Sequence, residues 1–524
     1  MLLLSFLVAA ALAPQLRAIQ LVSLPPISSS PVGASQVVDR ALASLSIEPA
    51  YLTSYGGNNS SPNVLTRALM QHLESRTGVG PDLRPGGITI DSSIFNPDGP
   101  ALVLTESSAG GVYRTNFGPA YYESLNVFPN STMFVINVNL GNETIKIARD
   151  ELAAALEYIG WDRIRAFELG NEADHYAGGS RPAGWASADY TAEFLGWTAV
   201  LTHNLSLPRA IFQAGSFADD PVPGAAMTTV DLINEGVDTT GVIKLFNQHM
   251  YQYSTCDPVR NALATLPNLV NHTNITSYVN LWNPQIAAAH RQGKEFVVGE
   301  YNSVSCSGKE NVTNTFGQAL WLADTVLYSA SVNISRMYLH QGATLVLQSG
   351  TQANTPGFSW YDLWYPVDTE RYGVARASPS FVAYLFIAET IGRSGTSRIS
   401  LVPITQQPDI ALYAIWDAQH LGRLAILNMA HRDVSTTADE AAALAVSLDL
   451  SGVIAAAGVP ATGVTLKRIT APGMDETDST STVWAGQSYA DGSANGVEVT
   501  EYLNGNAVEV GASEGVLVFL RASS

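Results

Sequence analysis

Ala166-Phe167-Glu168-Leu169-Gly170-Asn171-Glu172 reads as a short buried strand that ends abruptly in a polar cluster. Phe167 and Leu169 suit a core, and Gly170 lets the backbone turn. Asn171 and Glu172 are then set together at the strand's C-terminal end. In an α/β barrel that end is the floor of the active site. The plain alternative is a strand that stops at an ordinary polar loop, and the rest of the chain decides between the two.

Short apolar runs lie at 42–47, 82–89, 133–140, 165–169, 210–214, 242–249, 295–299 and 335–340. Helix-like stretches at 64–76, 145–158, 189–204, 284–291 and 315–330 fall between them. Eight such runs separated by helical material is the pattern of a (β/α)8 barrel. After about residue 381 the texture changes. Alternating segments at 410–416, 423–428, 444–448, 464–469, 497–503 and 515–520, parted by turn residues, read as an antiparallel β-sandwich. The expected organisation is a signal peptide at 1–18 and an extended segment at 19–40 whose strand-like part can join the β-domain. A catalytic barrel follows at 41–380, then a β-sandwich domain at 381–524 that begins with a final barrel helix to about 391.

Composition agrees with a large folded protein: 524 residues, 46% hydrophobic and 14% charged. The formal net charge of −19 argues against nucleic acid or an anionic membrane as partner, because both need a positive surface. The apolar run from Met1 to Ala13, followed by Pro14 and Arg17, has the shape of a secretory signal with cleavage near Ala18. It is too short for a comfortable membrane span. Asn-x-Ser/Thr sequons begin at Asn58, Asn59, Asn130, Asn142, Asn204, Asn271, Asn274, Asn311 and Asn333, all in the first part of the chain. The expectation is a secreted, extracellular glycoprotein. Cys256 and Cys306 then suggest one disulfide; the alternative is two buried thiols. No protein partner is evident.

Several runs end in polar residues: Ser46-Ile47-Glu48, Arg84-Pro85-Gly86-Gly87 with Asp91, Asn171-Glu172, Asn247-Gln248-His249-Met250-Tyr251, Gly299-Glu300-Tyr301-Asn302-Ser303 and His340-Gln341-Gly342. So many polar groups at strand ends would be costly in a purely structural barrel. Carboxylates at the ends of the fourth and seventh strands suggest glycoside hydrolysis, where one protonates the leaving oxygen and the other attacks the anomeric carbon or activates water. Glu168 points to the same side of its strand as Glu172 and is expected inside the barrel, paired with Arg84. Asp174 is expected to be solvated or capping. The chemistry needs no cofactor, and the sequence has no cluster with metal-ligand spacing.

At these residues the chain resembles the retaining (β/α)8 glycosidases, with Glu168-Leu169-Gly170-Asn171-Glu172 and Gly299-Glu300 as the shared motifs. Arg84-Pro85-Gly86-Gly87 with Asp91, His249-Met250-Tyr251 and Gly299-Glu300-Tyr301-Asn302-Ser303 with Cys306 are more narrowly similar to family 79 glycoside hydrolases, the β-glucuronidases and heparanase relatives, in their fungal secreted branch. The resemblance implies Glu172 as acid/base, Glu300 as nucleophile, Asn171 on the sugar 2-hydroxyl and Tyr251 steadying Glu300. His249 then orients Tyr251 or is a satisfied supporting residue. Asp91 contacts sugar hydroxyls or caps a helix. The uronate carboxylate falls to Tyr361 and to backbone N–H groups near Gly342. Relatives often carry Asn or Thr directly after the paired glycines, where this chain has Ile88.

The expected reaction is a double displacement by an exo-β-glucuronidase that releases glucuronic acid or 4-O-methylglucuronic acid from glycans or glycoconjugates. Two alternatives stay open: a neutral-sugar β-glycosidase of the same clan, and an endo-acting, heparanase-like enzyme. The latter needs basic flanking subsites, and the chain has 27 Lys+Arg against 46 Asp+Glu.

Overall fold

The computed structural model describes residues 20–106, 112–342 and 358–521. Eight parallel strands close into a barrel in chain order. They are β1 (Ala43–Ile47), β2 (Leu83–Pro85), β3 (Phe134–Val138), β4 (Ile164–Leu169), β5 (Phe212–Phe217), β6 (Ile243–Ser254), β7 (Glu295–Ser305) and β8 (Met337–Gln341). Val135, Ala166, Leu245, Val297 and Tyr338 form a separate apolar cluster, contributed by five of these strands. Helices Val64–Thr77, Ile145–Tyr158, Ser187–Leu205, Asn283–Arg291 and Phe316–Ser331 lie between strands in the chain. The first begins where the Asn63 side chain accepts the Thr66 N–H and ends at Gly78 in the left-handed conformation.

β6 and β7 are longer than the apolar runs that announce them. Their pairing continues from Met250↔Tyr301 to Ser254↔Ser305. The sulfurs of Cys256 and Cys306 are bonded just beyond it. After His249 and Gly299 polar residues interrupt the apolar ones, among them Met250, Tyr301 and Val304, so no continuous apolar run marks these segments in the sequence. They are held as strand by pairing with each other, and this ladder carries Tyr251 and Glu300.

The C-terminal β-domain has two sheets. Ser397–Leu401, Ile410–Asp417, His420–Asn428, Glu514–Phe519, Thr465–Thr470 and Val483–Trp484 form the larger in that order, with Glu501–Tyr502 also paired to Thr465–Thr470. Gln20–Ser23, Val446–Asp449 and Ala507–Val510 form the smaller. Gln20–Ser23 therefore ties the start of the described chain to this domain, parallel to Val446–Asp449. Side chains alternate along Ile410–Asp417. Leu412, Ala414 and Trp416 join the sandwich core, while Ala411, Tyr413 and Ile415 join the barrel core. A strand buried on both faces reads as a continuous apolar run, which is why it stands out in the sequence.

Three features differ from the sequence reading. Ser93–Phe95, Leu102–Glu106 and Val112–Phe117 build an extra sheet between β2 and β3 where no strand was expected. The strand expected at 444–448 is preceded by helix Ala438–Leu444. The one expected at 497–503 shrinks to Glu501–Tyr502, because Val497 and Val499 are exposed and bury no face. The signal-like segment lies outside the described residues. Among those described, no helix is long and apolar enough to cross a membrane.

Asn58, Asn59, Asn130, Asn204 and Asn311 are exposed. The other four sequon asparagines are half-buried and serve the fold. Asn142 and Asn274 donate their Nδ2 to the carbonyls of Asp91 and Asn268, the atom a glycan would need. Asn271 caps helix His272–Val279, and Asn333 accepts the Gln36 N–H.

Candidate active site

The turn after β4 is built by backbone sterics. Gly170 has φ +73°, and a Cβ there would meet the Tyr176 hydroxyl at 2.5 Å. Glu172 itself is left-handed at φ 51°, an uncommon conformation for a side-chain residue. It is held there because its N–H donates to the Ser216 carbonyl at 2.8 Å and its carbonyl accepts from His175 N–H at 2.9 Å.

Asp91 is the turn's other support. Its carboxylate accepts from the Tyr176 hydroxyl at 2.5 Å and from the backbone N–H groups of Leu140, Gly141 and Asn171. Burial pushes this carboxyl up to about 6 against those four hydrogen bonds. The expected helix cap is not seen: Asp91 sits inside the short turn Ile88–Ser92, whose cap is Gly87. Its carboxylate is also occupied by its own chain, so it shapes the Asn171-Glu172 turn where a sugar contact was expected.

Arg84, fully buried, binds the two halves of the site together. Its Nε donates to Glu168 Oε1 at 2.8 Å, Nη1 to Glu300 Oε2 at 2.9 Å and Nη2 to Asn171 Oδ1 at 2.8 Å. The last contact fixes the Asn171 amide with Nδ2 as its remaining donor. Glu168 is satisfied in turn by Asn247 Nδ2 at 2.7 Å and by Gln213 Nε2. Three donors around it make Glu168 a buried structural anion. Burial would lower the Arg84 pKa, but Glu168 and Glu300 raise it above its ordinary value.

Glu300 lies at the matching place on β7. Tyr251 donates to its Oε1 at 2.8 Å, and His340 Nδ1 lies 3.6 Å from Oε2. Burial alone would push this carboxyl up. The charges of His340, His249 and Arg84 and the Tyr251 hydroxyl outweigh it and hold Glu300 at about 2, the state of a ready nucleophile. Burial disfavours the His340 cation, yet Glu300 and Glu48 keep its pKa above the ordinary imidazole value.

His249 does not orient Tyr251. Its Nδ1 lies 3.1 Å from Glu172 Oε1, and its buried Nε2 has no hydrogen-bond partner among the described residues. A residue two positions from Tyr251 along a strand faces the same side, so both enter the pocket, one to each glutamate. One oxygen of Glu172, one of Glu300 and a nitrogen of His249 lie within 4.8 Å of one another. Such spacing could also hold a cation. However, Glu300 already takes the Arg84 guanidinium, and that positive charge beside the trio disfavours a metal.

After β8, Gly342 was expected to offer its N–H to a substrate carboxylate. That N–H instead donates to Asp362 Oδ1 at 2.8 Å. Asp362 also accepts from Ser359 N–H and the Tyr55 hydroxyl, each at 3.0 Å, and burial pushes it up to about 7. Tyr365 donates to the Ser359 carbonyl. Tyr361 makes a long 3.5 Å contact with the Gly342 carbonyl and lies close enough to Tyr251 and Glu300 to interact with both. The remainder of the expected loop, 343–357, lies outside the described residues.

Asp174, expected to be solvated, is buried; it accepts the Ala218 and Asp219 N–H groups and is pushed by burial to about 6. Its two oxygens are thus committed, which argues against a metal site with His175 and Asp219 nearby. Sequence reading assigned no role to His340, Glu48 or His175. The signal for the first two was their position at strand ends. Thr89 donates its N–H to Glu48 at 2.9 Å, beside the departure at Ile88.

Residues 412–517 match the glycosyl hydrolase family 79 C-terminal beta domain. A beta-glucuronidase of Aspergillus niger is 29% identical over 518 residues, 92% of this chain and 91% of the relative. A beta-glucuronidase of Neurospora crassa is 28% identical over 444 residues, 79% and 76% of the two chains. Among solved structures, the 4-O-alpha-L-rhamnosyl-beta-D-glucuronidase of Fusarium oxysporum superposes with a TM-score of 0.76 at 21% identity, covering 95% of this chain and 100% of that one. AbfB, a family 51 alpha-L-arabinofuranosidase of Bifidobacterium longum, has a TM-score of 0.57 at 14% identity, covering 95% and 99%. The structural likenesses speak for the barrel-and-sandwich fold, and the sequence matches speak for the family. The C-terminal domain is thus of the glycoside hydrolase family 79 type, and this chain is a glycosidase.

Proposed function

We propose that this glycosidase is a secreted exo-β-glucuronidase that retains anomeric configuration. The observation that carries the mechanism is the approach of Glu172 and Glu300 oxygens to within 4.8 Å. Carboxyl groups about 5–5.5 Å apart suit double displacement, whereas inversion needs about 6.5–9.5 Å to admit water. Glu300, ionised and aligned by Tyr251 and Arg84, attacks the anomeric carbon. Glu172 gives a proton to the glycosidic oxygen as the bond breaks. It then takes a proton from the water that releases the sugar. Asn171 Nδ2 is the donor placed for the 2-hydroxyl.

The substrate class rests on the β-glucuronidase relatives and on the site's charge. Arg84 and His340 sit inside a chain of net charge −19, and the Tyr361 hydroxyl is the donor available to a uronate carboxylate. Secretion is supported by five exposed sequon asparagines and the Cys256–Cys306 bond. Kinetics on 4-nitrophenyl β-glucuronide, β-glucoside and β-galactoside, with Glu172→Gln and Glu300→Gln alongside wild type, tests the reading. The expected result is cleavage of the glucuronide, lost in both variants. Good cleavage of the neutral glycosides without the glucuronide would overturn it.

A further inference from the structure

Glu172 has a histidine at each oxygen. Oε1 faces the buried His249, described above. Oε2 lies 4.0 Å from Nδ1 of His175, whose side chain is 57% exposed. The second approach follows from local geometry. Ala173–His175 is a 3-10 turn, and residues three apart in such a turn eclipse. His175 is held from the far side by Asp219, its Nε2 lying 3.4 Å from Oδ1. Asp219 is itself pinned, since its N–H donates to Asp174 Oδ2 at 2.9 Å. A chain of contacts thus runs from the loop after β5 to the outer oxygen of the acid/base.

We propose that His175, fixed by Asp219, is a positioning residue that keeps a positive charge beside the outer oxygen of Glu172 and favours proton delivery to poor leaving groups. The inference rests on Glu172 being the acid/base. Among the described residues, the groups that face Glu172 are His249 and Tyr251 from β6, Glu300 from β7, and Asp174 and His175 from its own loop. Asp219 faces His175, and Arg260 acts on Asp219. The hydrogen bond to Asp219 leads the causes that raise the His175 imidazole to about 9. Burial opposes it, and the charges of Glu172, Asp174 and Asp219 add to it. The ring is therefore an imidazolium through neutral pH. A cation at that distance favours the carboxylate that Glu172 becomes as it gives up its proton. Without the cation that developing charge is less stabilised, and Glu172 delivers its proton less readily to a poor leaving group.

Two unit charges 4 Å apart in water interact enough for a shift of about 0.7 pH unit, and salt screening at an exposed site reduces this to about half a unit. The test is the pH profile of kcat/KM for His175→Gln, Asp219→Asn, the double variant and His175→Lys. The substrates are 4-nitrophenyl and methyl β-glucuronide. The alkaline limb is expected to move up by about half a unit in His175→Gln, with activity on the methyl glycoside falling about threefold more than on the aryl one. His175→Lys restores both, and the double variant shifts no further than His175→Gln. Melting temperatures separate this from unfolding. An unmoved limb in His175→Gln, or one that His175→Lys fails to restore, overturns the proposal. If wild type cleaves neither glucuronide, the substrate reading has failed. The same profiles, taken on the aryl and alkyl glycosides it does cleave, then decide the role of His175.

Discussion

Replacing Arg84 by methionine removes a buried cation shared by Glu168, Asn171 and Glu300. Breaking a buried ion pair from one side costs about 3–5 kcal/mol, because the remaining charge stays buried without its partner. Here two carboxylates lose it, but each keeps other partners. Glu168 retains Asn247 and Gln213, and Glu300 retains Tyr251 and His340. The loss in stability should therefore fall near the low end, about 3 kcal/mol, a large share of a typical folding free energy. The consequence for chemistry is separate. An opposite charge nearby lowers a carboxyl pKa by about 1–3 units, so Glu300 should titrate higher without Arg84 and the acidic limb of kcat/KM should move up by about one unit. Urea denaturation and a pH–rate profile on 4-nitrophenyl β-glucuronide measure the two effects. Glu168→Gln is the control. It keeps the Arg84–Glu300 contact, so the acidic limb should stay near that of wild type even where stability falls. An Arg84→Met enzyme as stable as wild type, with an unmoved acidic limb, would refute the account of Arg84 as the link between the two glutamates.

Tyr251→Phe removes one hydrogen bond to an ionised group, worth about 1.5–3 kcal/mol, so kcat should fall about 10- to 150-fold with the melting temperature little changed. Cys256→Ser with Cys306→Ser opens a cross-link between residues 50 apart, and should cost about 2–4 kcal/mol in denaturant unfolding. Stability should fall as pH rises from about 4 to 8. Asp91, Asp174, Asp362 and Glu151 are raised to about 6, 6, 7 and 8 by burial, so the folded state binds protons that the unfolded chain has already released in that window. Glu300 has the opposite sign: its contribution, present above the ordinary carboxyl value, is lost as pH falls towards 2. Melting temperatures at pH 5 and pH 8 check the direction, and a higher value at pH 8 would contradict it.

The barrel was legible in the chain because its strands are apolar runs with helical material between them. The ends of β6 and β7 were not. Residues such as Gln252, Asn302 and Ser303 look like loop, and they become strand by pairing above the rim. The two glutamates could be found because each closes an apolar run. The partners of each were harder to read. Whether His249 reaches Tyr251 or Glu172 depends on side-chain direction across the pocket, which spacing does not encode. Asp91 and Asp174 looked like substrate or solvent residues because a carboxylate that accepts backbone N–H groups leaves no mark in the sequence. The pairing of Glu168 with Arg84 could be inferred, since a charge inside a barrel needs an opposite one. That Arg84 also holds Glu300 and Asn171 emerges from the closed barrel, which brings β2, β4 and β7 to one point.

The central claim is that Glu300 attacks the sugar while Glu172 supplies the proton. Its most direct test is to treat the enzyme with a 2-deoxy-2-fluoro-β-glucuronosyl fluoride, digest it and sequence the labelled peptide by mass spectrometry. One sugar per chain is expected on Glu300, with faster labelling than in Tyr251→Phe and no label in Glu300→Gln. A label on Glu172 or Glu168, or inactivation with no covalent sugar on the chain, would contradict it.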